Sequence, residues 1–175
     1  NGALVVDDNP LLERLELPRV TRIGGSATIV GNSVLLHMES FGSMVTLGGD
    51  FVFRDNDGMA FFDGFGQLES LGGDILVEDN EGLLEFGGFH VMSDVGGSIT
   101  LRGMPNLHTV HSFLGLLTVG HGVELSDLVA CTTWNGMAFL QSIGAASPEG
   151  VPGVLTIEQT RLERVPSFEL LTHLG

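Results

Sequence analysis

Residues 47–56 read LGGDFVFRDN, and residues 71–80 read LGGDILVEDN, starting 24 positions later. Self-similarity at a fixed period identifies repeat architectures, so the period is tested along the whole chain before any local structure is assigned. Glycine pairs fall at Gly24-Gly25, Gly48-Gly49, Gly72-Gly73 and Gly96-Gly97, and single glycines at Gly120 and Gly144 continue the series. After each comes a short alternation: Ala27 and Ile29, Phe51 and Phe53, Ile75 and Val77, Ile99 and Leu101, Val123 and Leu125. Alternation with period two is the signature of a strand with one face buried.

Three residues past the second apolar position stands an asparagine, at Asn9, Asn32, Asn56 and Asn80. Apolar residues then fall at every third position, which fits neither helix nor strand. In the third repeat they are Met59, Phe62, Phe65, Leu68 and Leu71; in the fourth, Leu83, Phe86, Phe89, Met92 and Val95; in the fifth, Leu107, Val110, Phe113, Leu116 and Val119. A chain that turns an apolar residue inward every three positions is winding, so each repeat is one coil of a solenoid. The glycines then supply corners where neighbouring coils pass closely, and the asparagine amide, both donor and acceptor, serves backbone groups that the ladders miss.

These spacings predict an all-β, right-handed parallel β-solenoid with little or no helix, forming a single domain. Its coils span 1–23, 24–47, 48–71, 72–95, 96–119 and 120–143. A loop follows over 144–153, where AASPEGVPG adds eight residues to the period, and a partial coil over 154–175. Residues one period apart become neighbours. One column, Phe41, Phe65, Phe89, Phe113 and Met137, forms an apolar spine, and another, Arg54, Glu78 and Arg102, alternates charge on the outward side of the strand.

Composition narrows the function classes. Of 175 residues 43% are hydrophobic, enough for a continuous core. Apolar runs stay short of the ~18 residues that cross a bilayer, and the start NGALVVDDNP has no signal-peptide pattern. A formal charge of −15, with seven arginines and no lysine, argues against nucleic acid and anionic membrane surfaces and for salt solubility, divalent cations or a basic partner. The single Cys131 excludes an internal disulfide and sits at a core position.

The pattern L-GG-x-ℓ-x-ℓ-x-x-N-x-x-L-x-x-ℓ-x-x-F, with ℓ an apolar residue, resembles the receptor L-domain class of leucine-rich-repeat-like solenoids, and LTIEQTRLERVP is similar to an ordinary leucine-rich repeat with Thr160 in the asparagine place. The likeness covers essentially the whole chain. It implies a recognition module of the bacterial or protist surface type, because the cysteine-rich caps of the animal receptor lobes are missing. The asparagine column lapses into Met104 and Leu128. No ligand-contact residue transfers, since the family's contacts lie outside the repeated motif.

Several residues carry chemistry and are weighed against a structural role. Asp55, Asp57, Asp79 and Glu81 flank the asparagines, and carboxylates one coil apart suit Ca²⁺ or a solvated turn edge. His108 and His111 both point out of the coil around Val110 and lack further ligands for a transition metal. No GxSxG, HExxH or phosphate loop occurs, so no catalytic residue is assigned; a β-helix polysaccharide-active enzyme is the weaker alternative. The outward strand column Val5, Thr28, Val52, Leu76 and Thr100 is β-branched or apolar. With Arg54, Glu78 and Arg102 beside it, it forms a strip suited to contact with protein or glycan. The expectation is non-catalytic recognition or adhesion at a cell surface or in an extracellular layer. The alternative is a structural subunit that self-associates through uncapped solenoid ends, and the missing caps suggest a piece of a larger protein or an assembly.

Overall fold

The computed structural model describes residues 2–38, 41–144, 152–165 and 168–175. The strand after each glycine corner pairs in parallel with its equivalents one coil before and one coil after. The result is one seven-stranded sheet of Leu4–Asp7, Ala27–Val30, Phe51–Arg54, Ile75–Glu78, Ile99–Arg102, Gly122–Ser126 and Val154–Ile157. Ile75 lies between Phe51 and Ile99, a 24-residue step on each side. Leu4 opposite Ala27 makes the first step 23, and Gly122 opposite Val154 makes the last 32. The eight-residue insert is thus placed by register, although most of the predicted loop, 145–151, lies outside the described residues.

Two-residue strands make the other sides. Ser70–Leu71, Asp94–Val95, Thr118–Val119 and their equivalents form a second seven-stranded parallel sheet. Phe61–Phe62, Glu85–Phe86, Thr109–Val110 and Thr133–Trp134 form a four-stranded one, with the pair Arg14–Leu15 and His37–Met38 in the same column. The chain is an all-β parallel solenoid of about six turns with ~24-residue coils, and no helix occurs among the described residues.

The three-residue apolar period has a local cause. At one corner the N–H of Leu35, Met59, Leu83, Leu107 or Cys131 donates to the carbonyl three residues back, at 2.9–3.2 Å. At the next, Met44, Leu68, Leu116 and Leu140 do the same toward Phe41, Phe65, Phe113 and Met137, at 3.1–3.3 Å. Each bond closes a β-turn, which returns the chain to the axis after three residues. Both corners need a left-handed residue. The first uses Asp8, Gly31, Asp55, Asp79, Gly103, Asp127 and Gln159, mostly the types that tolerate this region. The second uses the spine itself, with Phe65, Phe89, Phe113 and Met137 at φ of 58 to 62° or, for Phe89, 53°. A bulky side chain there costs about 1–2 kcal/mol. Ring stacking at 4.5 Å (Phe41–Phe65), 4.8 Å (Phe65–Phe89) and 5.4 Å (Phe89–Phe113), together with complete burial, offsets it.

The glycine corners are close approaches. A Cβ on Gly72 would stand 2.5 Å from the Gly48 carbonyl oxygen, and one on Gly48 the same distance from that of Gly24. The asparagines form a buried ladder along the axis. Asn56 Oδ1 accepts the Asn32 N–H and Nδ2 at 3.2 Å each, and Asn56 Nδ2 donates to Ile29 O at 3.0 Å and Arg54 O at 2.9 Å. Asn80 Oδ1 accepts the Asn56 N–H at 3.0 Å, and the ladder stops where Met104 and Leu128 take the place, both fully buried. In the two end coils the inward residues Leu4, Leu12, Leu15, Leu17 and Val20, and Leu155, Ile157, Leu162, Phe168 and Leu171, are only partly buried.

Candidate functional site

The sheet of longer strands carries the strip expected from sequence. Strand register aligns Val5, Thr28, Val52, Leu76 and Thr100 in one outward column, which Glu124 and Thr156 continue. Val52, Leu76 and Thr100 are half-buried, because each sits in a trough between two higher columns. A groove of about 380 Å³ is lined by Asp50, Val52, Asp74, Ile75, Leu76, Ser98 and Thr100. A smaller hollow of about 130 Å³ carries it on past Thr100, Gly122, Glu124 and Thr156.

On one side stand Arg54, Glu78 and Arg102. The alternating charges do pair: Arg54 Nη1 lies 3.3 Å from Glu78 Oε1, and Arg102 Nε 2.8 Å from Oε2. Glu78 is not exposed as an outward strand residue would be. It is 4% accessible, because the guanidiniums on both neighbouring coils close over it. Arg54 also holds Asp55 at 3.1 Å. Its pKa lies above the ordinary value, first through the hydrogen bond with Glu78 and then through the charge of Asp55.

On the other side stands a column absent from the sequence reading: Ser26, Asp50, Asp74 and Ser98. The first three side chains each cap the backbone of the next coil. Ser26 Oγ accepts the Asp50 N–H at 3.0 Å, Asp50 Oδ1 that of Asp74 at 2.9 Å, and Asp74 Oδ1 that of Ser98 at 2.7 Å. The signal was present in the repeated LGGD, whose fourth residue is Ser or Asp, both short-chain acceptors.

The proposed Ca²⁺ residues are not assembled into a site. Asp55 and Asp79 are left-handed turn residues, Asp55 is paired with Arg54, and Asp57 Oδ1 accepts the Glu81 N–H at 3.0 Å. Among the described residues no group of three or more His, Cys, Asp or Glu is placed to hold a metal ion. The histidine reading is corrected in part. His108 is exposed, whereas His111 is half-buried over Gly87 and stacks on His90 at 6.3 Å, with His90 Nε2 3.4 Å from Asp63 Oδ1. Sequence reasoning missed this pair because it joins positions 21 apart, across two columns. Cys131 is 1% accessible, and burial pushes its thiol pKa up.

Another groove, about 640 Å³, follows the glycine corner past Arg22, Thr46 and Ser70. Its walls are largely glycine backbone, with Arg22 Nε held by Thr46 at 2.8 Å. It offers few side-chain groups, so the strip is the richer surface chemically. No family model, curated protein or solved structure matches the chain.

Proposed function

We propose that this protein is a non-catalytic recognition or adhesion module acting in an extracellular layer or at a cell surface, through the strip centred on Val52, Leu76 and Thr100. The observation that carries the reading is the groove along this strip. Half-buried apolar side chains form its floor and charged or hydrogen-bonding columns both walls; the floor and the arginine wall sit on the longer paired strands, and the aspartate wall on the residue just before each. A rigid, repetitive surface of this kind suits an extended protein segment or glycan. The repeat pattern's resemblance to receptor L-domains supports the same class of function. Asp50 and Asp74 cap backbone amides and Glu78 is ion-paired, which speaks for recognition over hydrolysis.

The building-block alternative rests on the half-exposed apolar side chains of the end coils. Stacking copies head to tail in coil register would set Glu158, just past the last long strand, against Asp7, which ends the first, so like charges oppose it. The test of the leading reading is a screen of a glycan array and a displayed random-peptide library with the natural chain and with Val52→Glu/Leu76→Glu. Ligands retained only by the natural chain support it, provided circular dichroism shows both folded. Ligands that bind the two equally remove the strip as the site.

A further inference from the structure

We infer that the occupant of the strip is a cationic peptide segment of a partner protein, lying along the solenoid axis with Lys or Arg side chains on Asp50 and Asp74 and small apolar side chains over Val52 and Leu76. This rests on the recognition reading above and adds the chemistry of the partner.

The two walls of the groove differ in what charge they have left to give. The arginine wall is spent. Arg54 and Arg102 both bind Glu78, and Arg54 also binds Asp55, so two cations face two carboxylates already in contact. The aspartate wall is not. Asp50 and Asp74 have no ion-pair partner among the described residues. Each has one carboxylate oxygen fixed by a backbone N–H of the next coil. That leaves Asp74 Oδ2 without a partner among the described residues and Asp50 Oδ2 with only the Ser26 hydroxyl at 3.4 Å. The carboxylates are therefore oriented in advance, about 4.8 Å apart along the axis as neighbouring parallel strands are. Farther along the same trough Glu124 adds a third acid, its Oε1 held by the Ser126 hydroxyl at 2.7 Å. A trough with an apolar floor and uncompensated charge of one sign on one wall selects an occupant of the opposite sign. An extended peptide fits its length, and the long stems of Lys and Arg span the difference between the ~6.8 Å repeat of same-side residues in such a chain and the ~4.8 Å step of the carboxylates. An anionic glycan or acidic peptide would meet the aspartates and, opposite them, two guanidiniums whose charge Glu78 and Asp55 already balance.

The conservative variant Asp50→Asn/Asp74→Asn keeps an oxygen acceptor for each capped amide and removes only charge, so it folds. The probes are two fluorescein-labelled decapeptides, alternating Arg-Val and alternating Glu-Val, followed by anisotropy at low and physiological salt. The expected result is Arg-Val binding that falls at least tenfold in Asp50→Asn/Asp74→Asn. Binding should change less than twofold in Asp57→Asn/Glu81→Gln, which removes the same charge beyond the arginine wall. Equal losses in the two variants would mean diffuse attraction to an acidic protein, and no binding of Arg-Val at all would likewise overturn the inference. Binding of Glu-Val that is lost in Val52→Glu/Leu76→Glu would overturn the cationic occupant and leave the strip standing. Arg-Val binding indifferent to Val52→Lys/Leu76→Lys, which places like charge on the floor, would overturn both.

Discussion

Replacing Asn56 by leucine changes the side chain's shape little and deletes all of its hydrogen bonding. Four bonds disappear: two into Oδ1 from Asn32 and two from Nδ2 to Ile29 O and Arg54 O. Not every partner is stranded. Asn32 Nδ2 keeps Val30 O at 2.9 Å and Val6 O at 3.1 Å, and Arg54 O keeps the Gly31 N–H at 3.1 Å. The Asn32 N–H is left with nothing in a site that is fully buried. An orphaned buried donor costs about 1–3 kcal/mol, and each further bond lost about 1, so the gross cost is about 4–6 kcal/mol. Leucine recovers about 2 kcal/mol by burying apolar surface, which leaves a net loss of about 2–4 kcal/mol. Alanine lacks that compensation and should cost about 2 kcal/mol more. The assay is urea unfolding followed by far-ultraviolet circular dichroism and by fluorescence of the single Trp134, with midpoints converted through a common slope. A leucine variant as stable as the natural chain would refute the claim that hydrogen bonding, as opposed to packing, holds this corner.

Gly72→Ala forces a Cβ to within 2.5 Å of the Gly48 carbonyl oxygen and should lower the melting temperature by several degrees, whereas Gly66→Ala, with nothing within 4 Å, should be neutral or slightly stabilising. Phe89→Ala removes a fully buried ring stacked on Phe62, Phe65 and Phe113 and should cost about 3–5 kcal/mol in the same unfolding assay. Cys131 should resist a thiol-specific reagent at pH 8 in the folded chain and react on denaturation, because burial disfavours its thiolate. The sign for stability follows: with the folded thiol pKa raised, its contribution is complete below the unfolded value of about 8.5 and is lost as pH climbs through the folded one.

Where a residue's role is repeated by translation, the sequence displays it. The glycine pairs, the asparagines and the every-third apolar positions could all be assigned because identical corners demand identical side chains. The insert before Val154 was visible as a break in the same count. The spine was visible only as an apolar column, since phenylalanine gives no hint of a left-handed backbone. The carboxylates misled for a related reason. Asp55 and Asp79 share their column with Gly31 and Gly103, which marks a corner needing positive φ, and the acidic charge drew attention to cations instead. Asp50 and Asp74 escaped notice because their neighbours Ser26 and Ser98 carry no charge, although Ser26 does the same capping work. The side-chain burial of Glu78 depends on how two arginines fold over it, which no spacing encodes.

The left-handed phenylalanines also bear on how the molecule comes apart. A free chain seldom visits positive φ at such residues, so a coil standing alone has an intrinsic free energy tilted toward disorder, while its interfaces with the coils above and below are strongly favourable. In a one-dimensional array with unfavourable units and favourable couplings, a partly unwound state gains little by keeping an isolated ordered segment. The central coils, from Phe41 to Met137, should therefore melt in a single transition.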